Sequence, residues 1–288
     1  MTWCPLHAAA ERARPRHADW HSANAGLYWN RFFDEREPLG SRNWPQPKEP
    51  EKGAASANDP TAAGGKRRWL DRFAGPAHRL GDPDLLSDYH SRQERLLAAR
   101  GASPLVLELQ SPFVTGLGLP HPVENGLLFH HTLGCPYLPG SGVKGLLRHY
   151  LHEEEGWSAD ALAGWFGEAP RGSAGGVGGL VFGDAVPLAP VEAYVEVVTP
   201  HIGPWLTTTD PSSAAPGDWI DPTPIPFLAI VPGQRFAFPI FHAHRARLRH
   251  GPAAIDLATV SAELQCALDW CGAGAKTASG FGRFGAAG

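Results

Sequence analysis

Glycine and proline together make up more than a fifth of this chain, 34 and 28 of its 288 residues. Each one breaks a helix interior or shapes a turn, so the chain is expected to be built from many short elements rather than as a helical bundle. Its 43% hydrophobic content is enough for a sizeable core. The expected class is α+β with long loops, in one large domain or two small ones.

The pattern of apolar and breaker residues divides the chain. Helix-compatible stretches lie at Ala8 to Arg14 and Ala25 to Phe33, and the aromatics of the second, Tyr28, Trp29, Phe32 and Phe33, need a partner surface. From Pro38 to Gly65 the chain is rich in Pro, Gly, Ala, Lys and Glu and nearly free of large apolar residues, a composition that cannot offset the entropy of ordering and reads as a linker. A helix at Leu85 to Arg100 stops at Gly101-Ala102-Ser103-Pro104. Residues 1–103 are therefore read as an N-terminal extension and 104–288 as the main domain.

Within the main domain, Leu105 to Leu109 reads as a strand and Pro112 to Pro136 as loop. Ser141 is the expected N-cap of a helix with an apolar stripe of Val143, Leu146, Leu147, Tyr150 and Leu151, and Lys144 and Arg148 fall together on a neighbouring face. A helix near Ala159 to Phe166 precedes a glycine stretch, Gly172 to Gly179, expected to be mobile. Strands follow at Leu180 to Asp184, Val191 to Val198, Phe227 to Val231 and Arg235 to Phe241, then a helix at Leu257 to Trp270 and a glycine-rich tail. This order suits a ferredoxin-like or RRM-like sheet with insertions and a C-terminal glycine-rich loop.

A formal net charge of −4 argues against binding nucleic acid through a general basic field. Basic residues do cluster locally, at Lys66-Arg67-Arg68, at Arg92, Arg95 and Arg100, at Lys144 with Arg148, and at Arg245, Arg247 and Arg249; the ordinary reading of each is a solvated face. Cys4, Cys135, Cys266 and Cys271 show no CxxC pair and no zinc-ligand spacing, so reduced thiols are expected and no metal or other cofactor. No signal-like apolar region opens the chain and no run approaches a membrane span, which predicts a cytoplasmic protein.

Two segments carry the chemistry. The first is Leu138-Pro139-Gly140-Ser141-Gly142-Val143-Lys144-Gly145-Leu146-Leu147-Arg148, which opens a helix with small residues and puts a hydroxyl, backbone N–H groups and two cations where phosphates could sit. It does not fit GxxxxGK[ST]. The second is the tail Gly272-Ala273-Gly274-Ala275-Lys276-Thr277-Ala278-Ser279-Gly280-Phe281-Gly282-Arg283-Phe284. Its Lys-Thr pair imitates a Walker A end, but Ala275 stands in the glycine position and the segment follows a helix rather than a strand.

The two segments in this order resemble the RAMP superfamily of CRISPR RNA-binding proteins. Gly116-Leu117-Gly118, His121 to Gly126, Phe129-His130, Thr132-Leu133-Gly134, Thr199-Pro200-His201 and Asp221 to Leu228 further resemble the family of sixth subunits of type III-B (Cmr) effector complexes. The similarity runs from about Leu105 to Phe284.

What the resemblance implies is a non-catalytic subunit that packs beside other RAMP subunits and holds guide RNA toward its 3′ end, where target RNA is positioned for antiviral defence. The RNA-binding residues so implied are Gly140, Ser141, Gly142, Lys144, Arg148, His201, Trp205, Lys276, Thr277, Ser279, Gly280, Gly282 and Arg283. Relatives carry a protruding hairpin that wedges into the duplex; His201 to Pro222 is the corresponding insertion, with Trp205 and Trp219 as wedge or loop-packing residues. Slicing relatives place an aspartate between the first strand and the Pro-Gly-Ser helix, where this chain has only Glu124. The alternative is a metal-independent guide-processing endoribonuclease using His121, His130, His131 or His201.

Overall fold

The computed structural model describes residues 24–31, 65–168, 176–208, 217, 219–243 and 255–287. The expected helix at 8–14, Phe32 and Phe33, the expected linker at 38–65 except Gly65, which opens a helix, residues 172–175 of the glycine stretch, Arg245, Arg247 and Arg249, and part of the 201–222 insertion lie outside them.

Four strands form the central sheet: β1 (Leu105–Leu109), β5 (Val186–Pro187), β8 (Arg235–Phe238) and β10 (Phe284–Gly285), in the order β10-β1-β8-β5 and antiparallel throughout. Helix α4 (Gly140–Glu153) lies between β1 and β5 in sequence, and α7 (Leu257–Trp270) between β8 and β10. The core is therefore βαββαβ with its strands in the spatial order fourth, first, third, second, which is the ferredoxin-like arrangement. Both long helices pack together over the sheet, burying Val143, Leu147 and Leu151 from one and Val260, Leu264 and Leu268 from the other.

Insertions account for the remaining strands. A small hairpin of β2 (Pro120–His121) and β3 (Glu124–Asn125) decorates the connection from β1 to α4, and β4 (Leu180–Phe182) pairs with β9 (Ile240–His242). Between β5 and β8 rises a hairpin of β6 (Ala193–Val198) and β7 (Ile225–Ile230), joined by α6 (Gly203–Thr207) and the loop around it. Proline explains one difference from the sequence reading: Pro239 has no N–H to donate, and the strand expected over Arg235 to Phe241 is divided there into β8 and β9. Another correction concerns the glycines. Gly179 donates to Gly164 O at 2.8 Å and Gly178 is so close to the end of α5 (Ala159–Phe166) that a Cβ would lie 2.4 Å from Phe166 C, so the described end of that stretch is packed.

The N-terminal aromatics find their partner surface in the core itself. Helix α1 (Ala25–Arg31) and helix α2 (Gly65–Asp71), the second absent from the sequence reading, place Tyr28, Trp29, Trp69 and Phe73 in one buried cluster with Phe129 and the sheet residues. Tyr28 stacks on Trp69 at 5.3 Å, and Trp29 meets Phe73 edge-on at 5.0 Å. Helix α3 (Pro83–Ala98) is capped by Asp82, whose carboxylate accepts from Asp84 N and Leu85 N. Among the described residues no helix is long and apolar enough to cross a membrane.

Candidate functional site

Helix α4 starts differently from the sequence expectation. Pro139, not Ser141, is the N-cap, and no side chain of the cap itself satisfies the first turn. The Asp184 carboxylate does so from the neighbouring β4–β5 connection, accepting from Gly140 N at 2.8 Å. Gly140 is buried, and only glycine fits there, since a Cβ would come 2.3 Å from Phe182 O. The helix's positive end is therefore already occupied by an anion, and the reading of Gly140 as a phosphate donor is corrected. Ser141 and Gly142 are exposed in the first turn, with the N–H of Gly142 turned back to Pro139 O at 2.8 Å.

Three faces of α4 follow from its pitch of 3.6 residues per turn. Val143, Leu147, Tyr150 and Leu151 point into the core. Gly142, Leu146 and His149 form a second face. Lys144 and Arg148 form a third, on the opposite flank from the second and open to solvent in part or in full.

The C-terminal loop is folded tightly on itself. Ala273 N donates to Gly282 O at 2.8 Å, Gly282 N to Pro112 O at 2.7 Å and Ala275 N to Val114 O at 2.8 Å, while Arg283 N donates to Ser111 Oγ at 2.9 Å. The glycines serve this packing: a Cβ on Gly274 would lie 2.3 Å from Val114 O, and one on Gly282 1.9 Å from Ala273 O. Gly282 is thus a folding residue, which corrects its reading as a place for close RNA approach. Lys276 and Gly280, both left-handed, flank the short 3-10 turn Thr277–Ser279. The Lys276 ammonium lies 5.3 Å from the centre of the Phe227 ring, and the Arg283 guanidinium donates to Asp269 O in the last turn of α7. Both cations, expected as RNA contacts, have partners within the fold.

These two segments, more than a hundred residues apart in sequence, are the opposite walls of one open cleft of about 720 Å³. Leu138, Gly142, Leu146 and His149 line one side; Trp270 to Gly274, Thr277 and Arg283 line the other. Of the expected RNA-binding residues the cleft gathers Gly142, Thr277 and Arg283; Gly140, Ser141, Lys144, Arg148, His201, Trp205, Lys276, Ser279, Gly280 and Gly282 are not among its lining. Sequence reasoning missed Trp270, His149 and Glu154 on its rim. Trp270 was detectable, since it lies off the stripe Val260, Leu264, Ala267, Leu268 that α7 buries, yet it is 63% exposed.

Three of the four histidines weighed for catalysis, and the carboxylate, have structural partners, while His131 is exposed. His121 Nδ1 accepts from Val123 N at 3.3 Å, so its other nitrogen, 3.0 Å from Trp29 O, carries the proton and donates there. Its ring stacks on Trp29 at 4.2 Å. His201 Nδ1 donates to Ile220 O at 2.6 Å and ties together the base of the insertion on β6 and β7. His130 is lodged between Tyr89 and Tyr137, where burial pushes its pKa down. Glu124 is ion-paired with Lys66 of α2. Trp205 and Trp219 are both exposed on the insertion. Burial pushes the Cys135 thiol up to about 12, and among the described residues no group of His, Cys, Asp and Glu could hold a metal ion.

The fold is shared with a chain of the type III-B Cmr-beta complex bound to cognate target RNA, seen by cryo-electron microscopy, with a TM-score of 0.57 at 19% identity over 77% of this chain and 71% of that one. In sequence the chain is 25% identical over 255 residues to the CRISPR system Cmr subunit Cmr6 of Pyrococcus furiosus, spanning 69% of this chain and 72% of that protein. The RAMP superfamily model matches residues 106–285, from within β1 through the C-terminal loop to β10. A ferredoxin-like core whose Pro-Gly-Ser helix and glycine-rich loop meet across one cleft is what that match covers, and the chain belongs to the RAMP superfamily.

Proposed function

We propose that the protein is a non-catalytic, RNA-binding subunit of a type III-B CRISPR (Cmr) effector complex in the cytoplasm. In this reading it holds guide RNA toward its 3′ end, helps position target RNA, and packs beside other RAMP subunits. Residues 104–288 form the RAMP domain and residues 1–103 its N-terminal extension. The convergence of the two glycine motifs on one cleft carries the reading; the similarity to Cmr6 and the fold shared with a chain of a target-bound Cmr complex support it.

Lys144 and Arg148, on the flank of α4 away from the cleft, are taken as backbone-phosphate contacts. Lys144→Ala with Arg148→Ala is expected to weaken guide RNA association independently of sequence and to lower the salt slope of binding by about two, without unfolding the domain. A salt dependence identical to that of the parent chain removes the pair from the RNA path.

The purified protein is expected to bind target, guide and repeat RNA without cutting them, with or without divalent metal. The occupied ring nitrogens of His121 support this, because a general base needs a free lone pair. Cleavage that persists in chelator and vanishes in His121→Ala or His201→Ala establishes the processing-nuclease alternative; metal-dependent cleavage lost in Glu124→Ala overturns the scaffold reading.

A further inference from the structure

We propose that the cleft between α4 and the C-terminal loop is a nucleobase pocket, in which one unpaired base stacks on the indole of Trp270 and turns its amino edge to the carboxylate of Glu154. The proposal rests on the RNA-binding reading above and names what the cleft takes from the RNA.

Trp270 is the first argument. Core packing does not account for it: α7 buries Val260, Leu264, Ala267 and Leu268, and Trp270 stands outside that stripe with 63% of its surface open. Trp270 instead lines the cleft, whose apolar lining includes Leu138, Leu146 and Ala273. An aromatic face with an apolar floor is what base stacking uses, at about 1–3 kcal/mol per base. The volume of about 720 Å³ falls in the range of small-molecule sites and has room for a nucleoside.

Charge decides which part of the RNA enters. The charged side chains around the cleft are Glu154 and Arg283, with His149 beside them. Arg283 already donates to Asp269 O. Burial is the largest effect on the Cys271 thiol, and after it Glu154 raises its pKa while Arg283 lowers it, as an anion and a cation near the same point of the wall do. Glu154 repels a phosphate and accepts from a donor. Adenine, cytosine and guanine each offer an exocyclic amine, whereas uracil offers a single ring N–H. The pocket therefore favours amino-bearing bases, with the sugar and phosphates left outside at the rim.

The test uses the full-length chain and fluorescently labelled nine-nucleotide oligo(A), oligo(C) and oligo(U), read by anisotropy at one salt concentration. The parent chain is expected to hold oligo(A) and oligo(C) several-fold more tightly than oligo(U). Trp270→Ala is expected to weaken oligo(A) binding about tenfold, in line with the loss of one stacked base, while Trp270→Phe keeps most of it. Glu154→Ala removes a negative charge and so raises affinity for every oligonucleotide; the diagnostic is the ratio of oligo(A) to oligo(U) affinity, expected to collapse toward one. Thermal melting of each variant confirms that it is folded. If the parent chain binds RNA but Trp270→Ala leaves oligo(A) affinity unchanged, or Glu154→Ala leaves the ratio of oligo(A) to oligo(U) affinity unchanged, the pocket is refuted and the RNA-binding reading stands. If the parent chain binds none of the three and fails to retain guide RNA when assembled with its partner subunits, both fall.

Discussion

Replacing Trp69 with alanine is expected to lower the unfolding free energy by about 3–5 kcal/mol, the range for deleting a fully buried large aromatic. Trp69 is completely buried, stacked on Tyr28, 5.2 Å from the Phe73 ring and 6.3 Å from that of Trp29. No small shift of α2 refills the hole, because its neighbours are rings held by different elements. The loss should appear in urea as a lower midpoint with an unchanged slope. The control is Arg67→Ala on the same helix, which removes only an exposed ion pair with Asp71 and should change stability by less than about 1 kcal/mol. If the two substitutions have equal effects, α2 is a detachable flap and the aromatic cluster does not belong to the cooperative core.

Gly282→Ala is expected to be the second most damaging change, lowering stability by about 2–4 kcal/mol. Two costs add: φ of +75° disfavours any Cβ, and that Cβ would lie 1.9 Å from Ala273 O. The obstacle is backbone fixed by its own hydrogen bond to Gly282, so relief requires the loop to open. Gly280→Ala separates the costs. Its φ is +84° but nothing lies within 4 Å of the added carbon, and about 1 kcal/mol is expected from conformation alone. Differential scanning calorimetry of the two variants checks the difference; equal losses would mean that the overlap at Gly282 relaxes freely.

Periodicity and punctuation made much of the core legible. The apolar spacing of Leu257 to Trp270 and the run Leu105 to Leu109 match α7 and β1 at both ends, since a helix against a sheet shows its buried stripe directly. What stayed hidden depends on residues distant in sequence. Strand β5 is only Val186–Pro187 and carries no pattern of its own. Helix α2 begins at a glycine with three cations after it, and only the pairing of Lys66 with Glu124 and the burial of Trp69 show why it forms.

The site was legible in a similar, partial way. The glycine motifs announced themselves as backbone with unusual demands, but whether a glycine serves a ligand or its own fold depends on what faces it. For Gly140 and Gly282 the answer is Phe182 and Ala273. The free N–H groups expected at the start of α4 were foreclosed by Asp184, more than forty residues away, a partner that no local reading reaches.

The margins of the central sheet have a consequence for assembly. On one side lies β10, two residues ending in glycine; on the other lies β5, two residues ending in proline, with its Pro187 carbonyl taken by His90 of α3 at 2.9 Å. Proline cannot donate to another ladder, and two residues are too few to template one. Neither margin supports β-augmentation, so neighbours cannot join this protein by extending its sheet into a shared one. At these two margins contact has to be made through side chains, which specify a partner by shape and charge where a bare strand edge would accept any extended chain.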